Sequence, residues 1–238
     1  MPYHGMRGDF LLGLVVDGAA FSLEEKALGG CRFCVLTLPQ GDLRRRIAIE
    51  RGVRGLRKWR VRRCVFPERF PEQGFFWRQG IEAVDVQQLL RKKAGHWVLV
   101  ERQARGFRGG ISVLSDRLTE EVKRTLCLLL EKTGSVSIPL LRGAEELQRE
   151  LRRDCGAVLR LLPISQLSMA ETLLDFSCSS LEGQALTLRL GESVPPIFLL
   201  PRDLREDFPA ATNTAQLAAA LWELGKVETE MIGLKSRM

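Results

Sequence analysis

Short apolar stretches alternate with amphipathic stretches along the middle of the chain, and this pattern predicts strands alternating with helices. Residues 111–115 form a short apolar run in which β-branched side chains alternate, as expected of a strand. Residues 120–133 carry leucine and valine at helical spacing, with Asp116 or Thr119 as a capping residue before them and Gly134 as a terminating glycine after them. The pattern predicts a strand, a loop and a helix in succession.

The same succession is repeated twice. Further strands are predicted at 135–141 and 158–162, so that three strands begin about 24 residues apart. Strands alternating with helices of this length predict right-handed βαβ crossovers and a parallel sheet. We therefore expect an α/β protein with a Rossmann-like, doubly wound, mostly parallel sheet and helices on both faces.

The amino-terminal part of the chain fits the same scheme. Residues 10–16 predict a buried first strand, because this apolar run is short for a signal peptide. A strand is predicted at 31–38, a helix at 43–59 and a strand at 61–66. The alternative for the middle segment is a strand at 46–50 in a hairpin. We favour the helix, since it preserves the βαβ rhythm.

The remaining segments complete the predicted architecture. Helices are predicted at 84–105, 169–176 and 215–224, and strands at 185–190, 197–200 and 227–234. We expect a single α/β unit spanning residues 1–238, with a possible sub-boundary in the loop 67–83, which contains both proline and glycine.

The composition indicates a cellular compartment and gives the net charge. The 6 cysteines lie mostly among apolar neighbours, which is typical of buried free thiols in the reducing cytoplasm. No apolar run approaches the roughly 20 residues that a membrane-spanning helix needs, so we expect no membrane partner. The net charge is +7 at pH 7 and is concentrated before residue 111, which indicates an anionic partner or a solubilising surface. Nothing in the sequence indicates the oligomeric state.

The predicted fold indicates where a ligand would bind. Doubly wound sheets bind ligands outside the carboxyl ends of their strands, where the strand order reverses. Polar and glycine residues of the loops predicted at that edge are the candidate ligand-binding residues: Asp42, Glu68, Arg69, Ser115, Arg117, Arg142 and Gly143. Arg142 and Gly143 precede a predicted helix, and the amino end of a helix attracts anions. The sequence therefore predicts a small anionic metabolite as the ligand.

Signals for catalysis are weak, and we lean towards a protein that is not an enzyme. The chain has only 2 histidines and no G-x-S-x-G motif, so a serine or cysteine nucleophile with a histidine base is not indicated. The enzymatic alternative is carboxylate acid–base chemistry in the same crevice. It requires a buried Asp42 or Asp116 with a shifted pKa. Cys31 and Cys34 form a C-x-x-C pair inside a predicted strand, with no second pair to complete a metal site.

The usual nucleotide-binding motifs are absent from the sequence. No G-x-G-x-x-G follows a predicted strand, and no G-x-x-x-x-G-K-[ST] occurs. We therefore predict no cofactor and expect no standard NAD, FAD or P-loop nucleotide site.

The segment 44–63 contains many arginines and a single acidic residue. One interpretation is a nucleic-acid interface that contacts phosphates through Arg51, Arg54, Lys58 and Arg62. The other is the solvated face of an amphipathic helix with Leu43, Ile47, Val53 and Leu56 as its core residues. Trp59 is the only aromatic residue in the segment that could stack on bases, so we favour the solvated face and keep nucleic acid as the alternative.

Overall fold

The structure is a computed structural model that describes residues 12–177 and 179–237. The chain divides into two compact units. The first unit comprises the residues up to Val86 and Leu199–Ile232, and the second comprises Gln87–Phe198 and the residues from Gly233 onward. The sequence predicts a single unit, whereas the structure has two units, each with its own five-stranded sheet. The first boundary between them lies between Val86 and Gln87, just after the loop 67–83.

The first unit contains five strands and four helices, counted over the described residues. The strands are β1 (Leu12–Gly18), β2 (Ser22–Leu28), β3 (Cys31–Pro39), β4 (Arg63–Val65) and β5 (Glu82–Ala83). The helices are α1 (Asp42–Lys58), α2 (Gln73–Arg78), α8 (Arg202–Glu206) and α9 (Thr214–Glu223), and a 3-10 turn covers Thr229–Met231. The described part of the predicted first strand and the helix favoured for 43–59 are confirmed, while residues 10 and 11 lie outside the described residues.

The sheet of the first unit has the order β2-β3-β1-β4-β5. The pairs β1–β3, β1–β4 and β4–β5 are parallel, and only the edge strand β2 is antiparallel to its neighbour β3. Strand β3 is buried along most of its length, as parallel strands covered on both faces are. Strand β2 is rich in exposed charged residues, which discourage edge-to-edge pairing with another chain.

Helix α1 packs on this sheet through a face different from the predicted one. Its buried residues are Ala48, Ile49, Gly52, Val53 and Leu56. A Cβ atom on Gly52 would lie 2.6 Å from Leu36, so this glycine permits close packing of the helix on β3. Val53 and Leu56 are core residues as predicted, but Leu43 and Ile47 are exposed because they lie on the opposite side of the helix.

The second unit contains the repeated strand–helix pattern that the sequence predicts. Its strands are β6 (Ile111–Leu114), β7 (Ser135–Pro139), β8 (Val158–Leu162), β9 (Thr172–Asp175) and β10 (Leu186–Arg189). Its helices are α3 (Gln87–Lys92), α4 (Ala94–Arg105), α5 (Glu120–Thr133), α6 (Ala144–Cys155) and α7 (Ile164–Leu167). Two further short strands, β11 (Ile197–Leu199) and β12 (Gly233–Lys235), pair with each other.

The five-stranded sheet of the second unit is entirely parallel and has the order β10-β9-β6-β7-β8. Read from its other edge and renumbered within the unit, this order is 3-2-1-4-5, as in the doubly wound dinucleotide-binding folds. Thr119 caps α5 by accepting a hydrogen bond from the Val122 N–H at 3.4 Å, and Gly134 ends the helix with φ 75°. The predicted α/β, Rossmann-like fold with mostly parallel strands and flanking helices is confirmed.

Some predicted elements are wrong. The helix predicted at 169–176 is instead strand β9, in which all four residues are buried. A strand covered on both faces shows no alternation of polar and apolar residues, so periodicity does not separate it from a buried helix. The helix predicted at 84–105 is two helices. The segment predicted as a strand at 227–234 contains the 3-10 turn Thr229–Met231 and only the first two residues of β12.

Within the described residues, no helix combines the length and apolar character that crossing a bilayer requires.

Candidate anion-binding site

The residues predicted to bind a ligand belong to two different sheets. Asp42, Glu68 and Arg69 lie at the carboxyl edge of the first sheet, whereas Ser115, Arg117, Arg142 and Gly143 lie at the carboxyl edge of the second. The prediction assumed one continuous sheet, so it combined two sets of loops. The two edges are described separately below.

In the first unit, the chain passes from β3 through α1 to β4, on the other side of β1. The switch point of this sheet therefore lies between the carboxyl ends of β1 and β4. Arg45 of α1 spans it, because Nη1 lies 2.6 Å from Oδ1 of Asp17 and Nε lies 2.5 Å from Oε1 of Glu72. The hydrogen bond that Arg45 donates to Glu72 raises the pKa of Arg45, and the hydrogen bond that it donates to Asp17 raises it further. The chain's own ion pairs thus occupy this switch point.

A cavity of about 440 Å³ lies beside these ion pairs. Its lining carries three arginines (Arg45, Arg46 and Arg78) and three carboxylates (Asp42, Glu50 and Glu72). Because these charges balance, the cavity has no strong preference for an anion. Asp42 lines it, whereas Glu68 and Arg69 do not.

The sequence prediction missed Asp17, Arg45 and Glu72 at this edge. Asp17 lies near the carboxyl end of the apolar strand β1. If that strand had been counted among the parallel strands, Asp17 would have been predicted as a residue of the carboxyl edge. Arg45 lies on the side of α1 that faces the sheet. It was missed because the sequence analysis chose the wrong face of this helix as the buried one.

In the second unit, the switch point lies between β6 and β9, and the loop after β6 is Ser115–Thr119 by sequence. The buried Ser115 donates its hydroxyl hydrogen to the carbonyl of Arg117 at 2.8 Å and accepts from the Arg117 N–H at 3.4 Å. This small turn fixes the loop and leaves the Arg117 side chain exposed. Among the described residues, nothing forms a hydrogen bond or ion pair with its guanidinium.

The loop after β7 lies beside the loop after β6. A Cβ atom on Gly143 would lie 4.0 Å from the side chain of Leu118. Gly143 has φ 82° and precedes α6 without a side-chain cap, so its conformation explains the choice of glycine. Arg142 is exposed, and its guanidinium has no partner in the described chain. Two unpaired arginines therefore occupy neighbouring loops at this edge.

A third group at this edge, Asp175, was not predicted. It ends β9 opposite Leu114, and its carboxylate has no exposure to solvent. Oδ1 accepts from the N–H and hydroxyl of Ser177 at 2.7 and 2.8 Å, and Oδ2 accepts from the N–H and hydroxyl of Ser179 at 2.7 and 3.0 Å. These four donors already bind the carboxylate of Asp175. A ligand anion at this edge would therefore find its donors in the loops that follow β6 and β7, and not in the loop that follows β9.

The amino end of α5 is also partly occupied. Glu121 has a lowered pKa because its carboxylate is held by its own backbone N–H and, more weakly, by Thr119. A bound anion would therefore be recognised by side chains more than by the free N–H groups that usually bind phosphate at such a helix.

The carboxylate hypothesis for an enzyme loses its premise in this structure. Asp42 and Asp116 are both exposed, whereas the hypothesis requires a buried carboxylate. Among residues 12–177 and 179–237, no group of three or more histidine, cysteine, aspartate or glutamate side chains is placed to hold a metal ion.

Three of the four residues predicted to contact nucleic acid share one face of α1. Arg51, Arg54 and Lys58 are exposed and follow each other at helical spacing. The Arg51 guanidinium lies 4.8 Å from the ring centre of Phe21. Arg62 is also exposed but lies beyond the end of the helix. The exposed Leu43 and Ile47 add an apolar strip to the same face.

The similarities of this chain to solved structures are weak. No protein-family model and no curated protein match this chain. The chain is similar to the structure of shikimate 5-dehydrogenase from Listeria monocytogenes in complex with shikimate and NAD, with 11% identity and a TM-score of 0.28 over 77% of this chain and 75% of that one. It is also similar to L-tryptophan dehydrogenase from Nostoc punctiforme, with 11% identity and a TM-score of 0.26 over 69% of this chain and 54% of that one. Similarities at these TM-scores assign neither a ligand nor a reaction to this chain.

The prediction of no cofactor, with no standard NAD, FAD or P-loop nucleotide site, is corrected by these matches. It rested on the absence of sequence motifs alone. One of the similar structures was solved with NAD bound. A missing sequence motif is not by itself evidence against a nicotinamide nucleotide, so that expectation is withdrawn.

Proposed function

We propose that the second unit binds a small phosphorylated metabolite at the carboxyl edge of its sheet, without catalysing a reaction. The observation that carries this proposal is a pair of exposed arginines, Arg117 and Arg142, which lie in adjacent loops beside the switch point and have no hydrogen-bond or ion-pair partner among the described residues. Doubly wound sheets bind ligands at this place. Buried free cysteines such as Cys34 favour a reducing compartment, in support of the cytoplasm.

The charges around the two arginines define the ligand. Glu145 and Glu146 lie in the first turn of α6 and offset the charge of the arginines, so direct hydrogen bonds to the guanidinium groups, and not the net charge of the edge, would have to hold the ligand. A phosphate monoester carries about two negative charges and accepts bidentate hydrogen bonds from arginine. Arg117 and Arg142 together offer the donors for one such group.

The test is isothermal titration calorimetry with a panel of sugar and glycerol phosphates. We expect Arg117→Ala and Arg142→Ala each to weaken the affinity of the best ligand about tenfold, or ~1.4 kcal/mol. The matched control is Arg153→Ala, which removes one exposed charge from the last turn of α6. Equal affinity in all three variants, or no binding by the unaltered protein, would overturn the proposal.

A second candidate function is nucleic-acid binding through α1. Its support is the alignment of Arg51, Arg54 and Lys58 on one exposed helix face. Because phosphate contacts release counterions, each contact steepens the dependence of affinity on salt by about one unit in a log–log plot. Fluorescence anisotropy with labelled duplex DNA should show that Arg54→Ala reduces this slope by about one. Arg202→Ala, at a position with a side chain that is 92% exposed, should leave it unchanged. Affinity that does not respond to salt would remove this candidate.

A further inference from the structure

A basic cavity lies at the amino end of the second sheet, opposite the edge discussed above. It has a volume of about 770 Å³ and is lined by residues of α4, the end of α5, the segment before β6, and the strands β7 and β8. Four cationic residues line it: Arg102, Arg108, Lys132 and Arg160. Among the described residues that line the cavity, none is a carboxylate.

Two of these cations have partners within the unit. The buried Arg102 donates to the hydroxyl of Thr172 at 2.7 Å and to the carbonyl of Gly109 at 2.8 Å, and it lies 3.3 Å from a carboxylate oxygen of Glu171. Lys132 lies 2.8 Å from Glu131, and both of these side chains are exposed. Arg102 therefore shapes the wall of the cavity, and Lys132 contributes a partly neutralised charge.

The other two cations are not compensated. Arg108 and Arg160 are exposed, and neither guanidinium has a hydrogen-bond or ion-pair partner in the described chain. Like charges that face one cavity repel each other, and that repulsion is relieved when a multivalent anion binds between them. The backbone of Gly109 is already bonded, because its N–H donates to Glu171 at 2.7 Å and its carbonyl accepts from Arg102 at 2.8 Å, so a ligand here would be recognised by side chains. The half-buried Phe107 provides an apolar surface beside the charges.

We propose that this cavity binds a diphosphate group, either free or as part of a nucleoside diphosphate, through Arg108 and Arg160. A diphosphate presents two charged groups, which matches two uncompensated guanidinium groups, and each phosphate accepts a bidentate pair of hydrogen bonds. The site lies at the opposite end of the strands from Arg117 and Arg142, so the proposal does not depend on the proposed function.

The test is calorimetric titration of the full chain with inorganic pyrophosphate. We expect Arg108→Ala and Arg160→Ala each to weaken binding at least tenfold, and Arg160→Lys to weaken it less because the charge remains. Arg202→Ala is the control and should bind pyrophosphate like the unaltered protein, because Arg202 belongs to neither proposed site. Circular dichroism should give the same melting temperature for all variants, because the substituted side chains are exposed.

A second titration distinguishes the two sources of diphosphate. Tighter binding of ADP than of pyrophosphate would identify a nucleoside diphosphate, with Phe107 beside the base, and equal or weaker binding of ADP would identify free diphosphate. No saturable binding of pyrophosphate would overturn the proposal. So would equal losses in Arg160→Ala and Arg202→Ala, because the effect would then follow net charge alone.

Discussion

Gly13 of β1 and Cys64 of β4 lie directly opposite each other in parallel strands, and a Cβ atom on Gly13 would come within 2.2 Å of the Cys64 sulfur. Cys64 is completely buried, so its sulfur cannot turn out into solvent to avoid the new methyl group. Gly13→Ala should therefore destabilise the protein by about 1–3 kcal/mol through overpacking. Urea unfolding measures this change.

Two variants control for other effects of this substitution. A Cβ atom on Gly74 meets nothing within 4 Å, so Gly74→Ala should not reduce stability. In the Gly13→Ala background, Cys64→Ala should restore part of the lost stability, because it removes the sulfur that the new methyl group contacts. Independent, additive effects at the two positions would contradict the steric explanation.

The buried thiols next to this contact predict a pattern of chemical reactivity. Burial, and to a lesser extent the charge of Glu25, raises the pKa of Cys34 from 9.0 to about 12. Because the thiolate is the reactive form, iodoacetamide at pH 8 should leave Cys34 of the folded protein unmodified. The exposed Cys127 should be alkylated under the same conditions. Peptide mass spectrometry before and after unfolding checks both expectations, and rapid labelling of native Cys34 would contradict them.

The same shift predicts a dependence of stability on pH. The pKa of Cys34 is higher in the folded protein than in the unfolded chain, so the folded state holds this proton more tightly. Its contribution is complete below pH 9.0 and is lost as the pH rises towards 12. Cys34→Ala should therefore reduce the loss of stability in this range, as measured by urea unfolding at a series of alkaline pH values. If the unaltered protein and Cys34→Ala lost the same amount of stability at alkaline pH, Cys34 would not be the group responsible.

Two isoleucines of α1 provide a matched pair for the packing of this helix. Ile47 is 61% exposed, whereas Ile49, two residues later, is 5% exposed. Ile49→Ala should cost about 2–4 kcal/mol because it leaves a cavity in the core. Ile47→Ala should change the free energy of unfolding by about 0.5 kcal/mol or less. Equal losses in the two variants would show that the helix packs through a different face.

This pair also shows where sequence reasoning succeeds and where it fails. The existence and length of α1 follow from its composition, and the ends of α5 follow from Thr119 and Gly134, which act locally. The predicted rotation of α1 about its axis was wrong. Because arginines occur all around this helix, the sequence allows more than one choice of apolar face. Strand β9 was taken for a helix because complete burial removes the alternation that identifies a strand.

The candidate sites depend on contacts that are distant in the sequence. Arg45 and Asp17 are separated by 28 residues, and Arg102 and Glu171 by 69. Such pairs are determined by the strand order, which the hydrophobic pattern does not specify. The loops that carry Arg117 and Arg142 were identified, since the carboxyl ends of successive parallel strands meet at one edge. The basic cavity was missed because it lies at the amino ends of those strands.

Asp175 is the buried group on which the carboxyl edge of the second sheet depends. Its two oxygens accept four hydrogen bonds from Ser177 and Ser179, so the loop that follows β9 is organised around this carboxylate. Asp175→Asn keeps the shape of the side chain but replaces one acceptor oxygen with an NH2 group, which would face the donors of one serine. Each buried donor without an acceptor costs about 1–3 kcal/mol. Because the N–H and the hydroxyl of one serine would both lose their acceptor, we expect the free energy of unfolding to fall by about 2–4 kcal/mol.

Asp116→Asn is the matched control, because the same change at an exposed position should alter the free energy of unfolding by about 0.5 kcal/mol or less. Hydrogen exchange adds a local measurement: the amides of Ser177 and Ser179 should lose protection in Asp175→Asn before the amides of β6 do, because the loop opens first. If those two amides kept their protection, the loop would be held by other contacts. The β9 side of the switch point would then not be closed by Asp175, and a ligand would have access to both sides of the edge that carries Arg117 and Arg142.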